Sequence, residues 1–109
     1  MTPSTTADNA PAQIEELGEG RFLISGNLSF ANARAVLLAS RRSFRGASAL
    51  DIDLSGVARA DSAGLSLLVE WSRVAQAAGQ NFTIRNAPVQ LRSMARLVGV
   101  EALLGLAAA

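Results

Sequence analysis

The chain has 109 residues, a mass of 11.3 kDa and a formal net charge of +1, which allows one domain and no second. Half of it is apolar, enough for a core that buries roughly 65% of the unfolded surface. Every basic residue is Arg, and Lys, His, Cys and Tyr are absent. These absences exclude the usual zinc ligand sets, Ser–His–Asp and Cys–His couples, Schiff-base chemistry and a P-loop lysine. Nine scattered carboxylates remain as acids and bases, so the composition points away from a catalyst and from any cofactor or metal site. The aromatics do not interleave with the arginines as a base-stacking surface requires, which argues against nucleic-acid binding. The first 20 residues hold no basic residue and no apolar run, and no stretch reaches the ~20 apolar residues of a membrane span. The expectation is a soluble, cytoplasmic protein.

Met1 to Pro11 is polar, aperiodic and rich in Thr, Ser and Pro, and predicts a disordered leader ahead of a domain over 12–109. Ile14 and Leu17 mark a weak edge strand, and Gly18-Glu19-Gly20 a turn into the β-rich run Arg21–Ser25. Gly26 and Asn27 predict the end of that strand, and Ser29 the N-cap of a helix running to about Phe44. On this helix Ala33, Val36, Leu37, Ser40 and Phe44 share one face, with Arg34, Arg41 and Arg45 beside it as a solvated stripe.

After Gly46, Leu50–Leu54 alternates as a strand, with Ser55-Gly56 read as loop. A longer helix is expected from about Ser62 to Ala78, closed by Gly79. Asn81–Arg85 is a last strand, and Pro88 opens a third helix with Leu91, Met94, Ala95 and Val98 on its buried face, ended by Gly99. The order ββαβαβα predicts an α/β domain in which helices pack on a small mixed sheet of about four strands.

The informative segment is Asp61-Ser62-Ala63-Gly64-Leu65. An Asp-Ser pair at a helix mouth is a capping arrangement worth ~0.5–2 kcal/mol. Gly64 costs ~1 kcal/mol of helix propensity against Ala, a cost tolerated where something approaches the backbone closely. The helix behind it is apolar over a wide arc, from Leu65 and Val69 through Leu68 and Ala75 to Leu67, Trp71 and Val74. A helix lying on a sheet needs an arc of little more than ~100°. The excess either covers neighbouring helices or docks on another protein.

Strand, loop and helix start together (Asp51-Ile52-Asp53-Leu54-Ser55-Gly56-Val57, then Asp61-Ser62-Ala63-Gly64-Leu65) resemble the STAS domain of bacterial anti-sigma-factor antagonists. The resemblance covers about Ile14 to Leu104 and includes Gly26-Asn27-Leu28 and Arg85-Asn86-Ala87-Pro88. The runs Asp61–Trp71 and Arg85–Val100 look most like the MlaB-like subunit of the Mla phospholipid-transport ABC system. That resemblance implies a STAS fold and a non-enzymatic subunit, peripheral to the inner membrane, that binds the transporter's cytoplasmic ATPase. It carries the partner-binding role onto Asp61, Ser62, Ala63, Gly64 and Leu65, with Asn27, Ser29 and Leu68 as flanking contacts. Ser62 matches the position phosphorylated in the antagonist branch and required in the transporter branch. The alternative is an anti-sigma-factor antagonist, partnered by a serine-kinase-type anti-sigma factor and switched by phospho-Ser62. Leu65 and Leu68 also have the spacing of sheet-facing core, and Asn27 and Ser29 that of turn and cap residues. A nucleotide-binding sensor would need a glycine-rich phosphate loop, which this sequence lacks.

Overall fold

The computed structural model describes residues 11–106, and the leader expected over 1–11 lies almost wholly outside them. Strand β1 (Gln13–Gly18) pairs antiparallel with β2 (Arg21–Leu28), the expected hairpin. Helix α1 (Ala33–Ser43) crosses to β3 (Ala49–Ala60), α2 (Ser62–Ala77) to β4 (Asn81–Arg85), and α3 (Val89–Val98) follows. The sheet order is β1-β2-β3-β4, with β2, β3 and β4 parallel, so the ββαβαβα order and the mixed four-stranded sheet stand.

Alternation decides which face of the sheet is covered. Phe22 and Ile24 on β2, and Leu50, Ile52 and Leu54 on β3, are buried. Asp51 and Asp53 point the other way, as the period of two requires. Above this face α1 contributes Val36 and Ser40, α2 contributes Leu65, Leu68, Trp71 and Ala75, and α3 contributes Leu91 and Ala95. Phe44 stacks edge-on between Phe22 at 4.7 Å and Trp71 at 5.4 Å. The Trp71 indole N–H donates to the Ser40 hydroxyl at 2.9 Å, and that hydroxyl donates to the Leu37 carbonyl at 2.7 Å. Both polar groups are thereby satisfied inside the core, as burial demands.

Four local expectations are corrected. Strand β2 does not end at Gly26 but runs on to Leu28. Ser55 and Gly56 are strand, not loop: β3 is continuous for 12 residues. Both differences have one cause. Leu23 pairs with Asp53 but Ser25 with Gly56, and Gly26 pairs with Val57 but Asn27 with Arg59, so β3 carries an extra residue twice. A bulge keeps the ladder going where turn-forming residues suggest a stop.

Ser29 does not cap α1. The helix starts at Ala33 behind Asn32, because residues 29–32 form a turn of their own closed by Asn32 N–H to the Ser29 carbonyl at 3.0 Å. Val98 is 60% exposed rather than buried. Gly99 takes the left-handed conformation, Val100 N–H returns to the Ala95 carbonyl at 2.8 Å, and Leu104 and Leu106 fill the core instead.

The wide apolar arc of α2 is used inside the fold. Leu67 and Trp71 are buried beside α1, Leu65 and Leu68 are buried in the core, and α3 packs on α2 as well. Of the large apolar residues on α2, Val74 alone is exposed.

Candidate protein-docking site

The last residue of β3 leads directly into Asp61, whose carboxylate organises the start of α2. One oxygen accepts from Ala63 N–H at 2.9 Å, the N-cap bond expected from the sequence. The other accepts from Phe30 N–H at 3.0 Å, in the turn between β2 and α1. Asp61 N–H in turn donates to the Leu28 carbonyl at 3.2 Å. One side chain therefore clips the turn that precedes α1 to the start of α2.

Gly64 explains why that turn and the start of α2 sit so close. It is buried, and a Cβ on it would lie 2.5 Å from the Leu28 carbonyl oxygen. The close approach signalled by this glycine is made by the chain's own β2, not by a partner. Leu65 is 7% exposed, and Leu68 and Asn27 are wholly buried. All three therefore belong to the core of the folded domain and do not offer side chains to a docking protein. Asn27 lends its carbonyl to the Asn32 carboxamide at 3.1 Å. Ser29 is half-buried, with its hydroxyl inside and unbonded among the described residues.

Of the expected site residues, Asp61 and Ser62 are exposed and Ala63 is partly so. Ser62 is the first residue of α2, where the helix's free N–H groups favour negative charge. Its carbonyl accepts from the Ser66 hydroxyl at 3.2 Å, and among the described residues its own hydroxyl makes no hydrogen bond. Ser62, Ala63 and Ser66 form one wall of an open groove of ≈ 840 Å³ between α2 and α1. Ala33, Arg34, Leu37 and Arg41 form the other wall, and Phe30 stands at the head, 84% exposed.

This groove was not expected from the sequence. Its walls carry residues noted on separate elements, Arg34 and Arg41 on α1 and Ser62 and Ala63 on α2; Phe30, Ser66 and Glu70 join them only because α1 and α2 lie side by side. Glu70 is gripped by Arg73 at 2.7 Å, a pairing that lowers the carboxyl pKa and raises that of the guanidinium.

On the opposite face of the sheet, Arg85 and Asn86 answer the two aspartates of β3. Arg85 donates to Asp51 at 2.8 Å, and the Asn86 carboxamide donates to Asp53 at 3.0 Å. Asp53 also accepts from Ser55 N–H at 2.8 Å. The Asn86 bond, then the Ser55 backbone bond, hold the Asp53 carboxyl below the ordinary aspartate value.

A family model described as "Mlab, STAS domain" matches residues 15–105, nearly the whole described chain. The chain belongs to the MlaB-like STAS-domain family. The STAS fold is further seen in the unphosphorylated anti-sigma-factor antagonist SpoIIAA. It aligns with a TM-score of 0.62 at 18% identity, covering 79% of this chain and 82% of that one. The Mglu crystal structure aligns with a TM-score of 0.55 at 27% identity over 83% of this chain, but only 23% of its own. Murine Slc26a9, an anion transporter, aligns with a TM-score of 0.60 at 20% identity over 80% of this chain and 15% of its own. This STAS domain thus spans under a quarter of either of those two larger chains. No curated protein matches the sequence.

In this STAS domain the Asp-Ser-x-Gly-Leu run divides by function. Asp61 ties two loops together, Gly64 and Leu65 seat the helix on the sheet, and Ser62 and Ala63 face out. Among the described residues no three His, Cys, Asp or Glu side chains group as metal ligands, and no helix is long and apolar enough to cross a membrane.

Proposed function

We propose that this domain is a non-enzymatic regulatory subunit that docks on the cytoplasmic ATPase of an ABC phospholipid transporter and supports its activity in maintaining outer-membrane lipid asymmetry. The site is the start of α2, with Ser62 and Ala63 as contacts and Asp61 holding the loop that presents them. Membership of the MlaB-like family supports the choice of partner. The observation that carries the docking reading is the exposed Ser62 hydroxyl on the wall of an open groove, without a hydrogen bond among the described residues. Among the described residues no side chain hydrogen-bonds that hydroxyl as a general base does, and both oxygens of neighbouring Asp61 are taken by backbone N–H groups, so the hydroxyl is suited to contact. The domain would sit in the cytoplasm, held at the inner membrane through the complex.

Added negative charge at Ser62 suits the helix start and therefore leaves the fold intact, while it places a second anion beside Asp61 on the contact surface. Affinity capture of the tagged domain from native extract, with Ser62→Glu in parallel, tests the reading. Recovery of an ABC ATPase by the wild type and its loss by the variant are expected. Recovery of a serine-kinase-type anti-sigma factor instead would overturn the transporter reading and make Ser62 the phosphoswitch of an antagonist.

A further inference from the structure

We infer that the groove between α1 and α2 receives an amphipathic helix of the partner whose polar edge is acidic, its carboxylates meeting Arg34 and Arg41. This deepens the docking reading above and rests on it for the place of contact. The groove has an apolar lining, with buried Leu67 between the walls, Leu37 on the α1 wall and Phe30 exposed at the head. The α1 wall runs from Ala33 to Arg41, a length that matches about two and a half turns of a third helix laid alongside.

The charges on the walls are one-sided. Helix α1 carries no acidic residue, and neither Arg34 nor Arg41 makes a salt bridge among the described residues. The single acid on the opposite wall, Glu70, is engaged by Arg73 at 2.7 Å and feels Arg41 only at longer range. Arg34 and Arg41 are seven positions apart, about 10 Å along the helix axis, so both rise on the same side of α1. Carboxylates two turns apart on a partner helix meet both. The positive end of α2 at Ser62 adds to the same field.

Other occupants fit less well. Among the described residues a second copy of this chain offers no acidic helix: α1 and α3 hold no acid and α2 holds Glu70 alone. A flat lipid surface reaches the exposed arginines but not an apolar lining recessed between two helices.

The chain contains no cysteine, so Ser66→Cys places one thiol on the exposed α2 wall of the groove. Labelled there with a benzophenone and irradiated in the complex recovered by affinity capture, it marks the partner segment lying in the groove for mass spectrometry. The segment is expected to read as an amphipathic helix with acidic residues on one edge. In the same complex, Arg34→Glu/Arg41→Glu is expected to weaken binding by roughly tenfold or more and to flatten its dependence on salt. Arg34→Gln/Arg41→Gln is expected to fall between, and melting curves check that all variants fold. Unchanged affinity in the reversal variant, a cross-linked segment without acidic residues, or no cross-link would overturn the inference. Arginine-dependent flotation with phosphatidylglycerol vesicles in place of protein capture would also overturn it. If Ser62→Glu still releases the ATPase in those cases, the docking reading survives alone. An acidic helix from a protein other than an ABC ATPase would keep the inference and remove the transporter assignment.

Discussion

Gly64 and Leu28 approach more closely than any side chain at position 64 allows: a Cβ there would fall 2.5 Å from the Leu28 carbonyl oxygen and 3.0 Å from its Cβ. The same carbonyl receives the Asp61 N–H, so the start of α2 is fixed to the end of β2 by contact and by hydrogen bond. Gly64→Ala gains ~1 kcal/mol of helix propensity but drives its Cβ into the Leu28 backbone. A net loss of about 1–2 kcal/mol in urea denaturation is expected, because overpacking a rigid contact costs more than the propensity gain. Stability equal to or above wild type would contradict the close approach.

Asp61 serves two backbone donors at once, Phe30 N–H and Ala63 N–H. Asp61→Ala removes both acceptors and is expected to cost about 1–2 kcal/mol. The local signature is more telling than the total: hydrogen exchange at the Phe30 and Ala63 amides should accelerate beyond that of neighbouring residues. Equal acceleration throughout the domain would mean that the carboxylate does not link the two loops.

Trp71 is the sole tryptophan, and its indole N–H depends on the Ser40 hydroxyl. Ser40→Ala leaves that donor buried without a partner, at a cost of about 1–3 kcal/mol. The indole N–H resonance should shift strongly and the melting temperature should fall. A resonance left in place would show that the bond is not made.

Asp53 gives the domain an acid-sensitive element. Its carboxyl is held below the ordinary aspartate value first by Asn86 and then by the Ser55 N–H. A pKa lower in the folded than in the unfolded state favours folding at pH values above the unfolded value, ~3.9. That contribution is lost as the pH falls through the lower, folded value. The melting-temperature gap between wild type and Asp53→Ala should therefore narrow on acidification from about pH 5 to about pH 2. In Asn86→Ala, the Asp53 carboxyl should titrate at higher pH by NMR. A gap constant with pH would remove Asp53 from the acid response.

Much of the fold was legible because each long element carries its own period: Leu50, Ile52 and Leu54 alternate, and the Ser62–Ala77 helix has both a cap and a stripe. Misread points lie where a tertiary partner overrides a local signal. Ser55-Gly56 has turn chemistry, yet pairing with β2 absorbs it as a bulge. Ser29 has cap chemistry, yet Asp61, 31 residues on from Phe30, holds the Phe30 N–H and the helix begins later. Val98 has helical spacing, yet Gly99 turns the chain back and Leu104 fills its place. In the site, the cost of Gly64 in a helix correctly signalled a close approach without saying whose. The spacing of Leu65 and Leu68 did suit the sheet-facing burial they show, whereas burial of Asn27 followed from packing, and so did the groove, whose walls come from separate helices.

The most direct test of the central claim is the affinity of the purified domain and its Ser62→Glu variant for the captured ATPase, measured by calorimetry after melting curves show both folded. With Ser62 in the contact, the variant melts close to wild type yet binds at least roughly tenfold more weakly, as a desolvated like-charge contact requires. Full affinity in the folded variant would place the interface elsewhere on the domain.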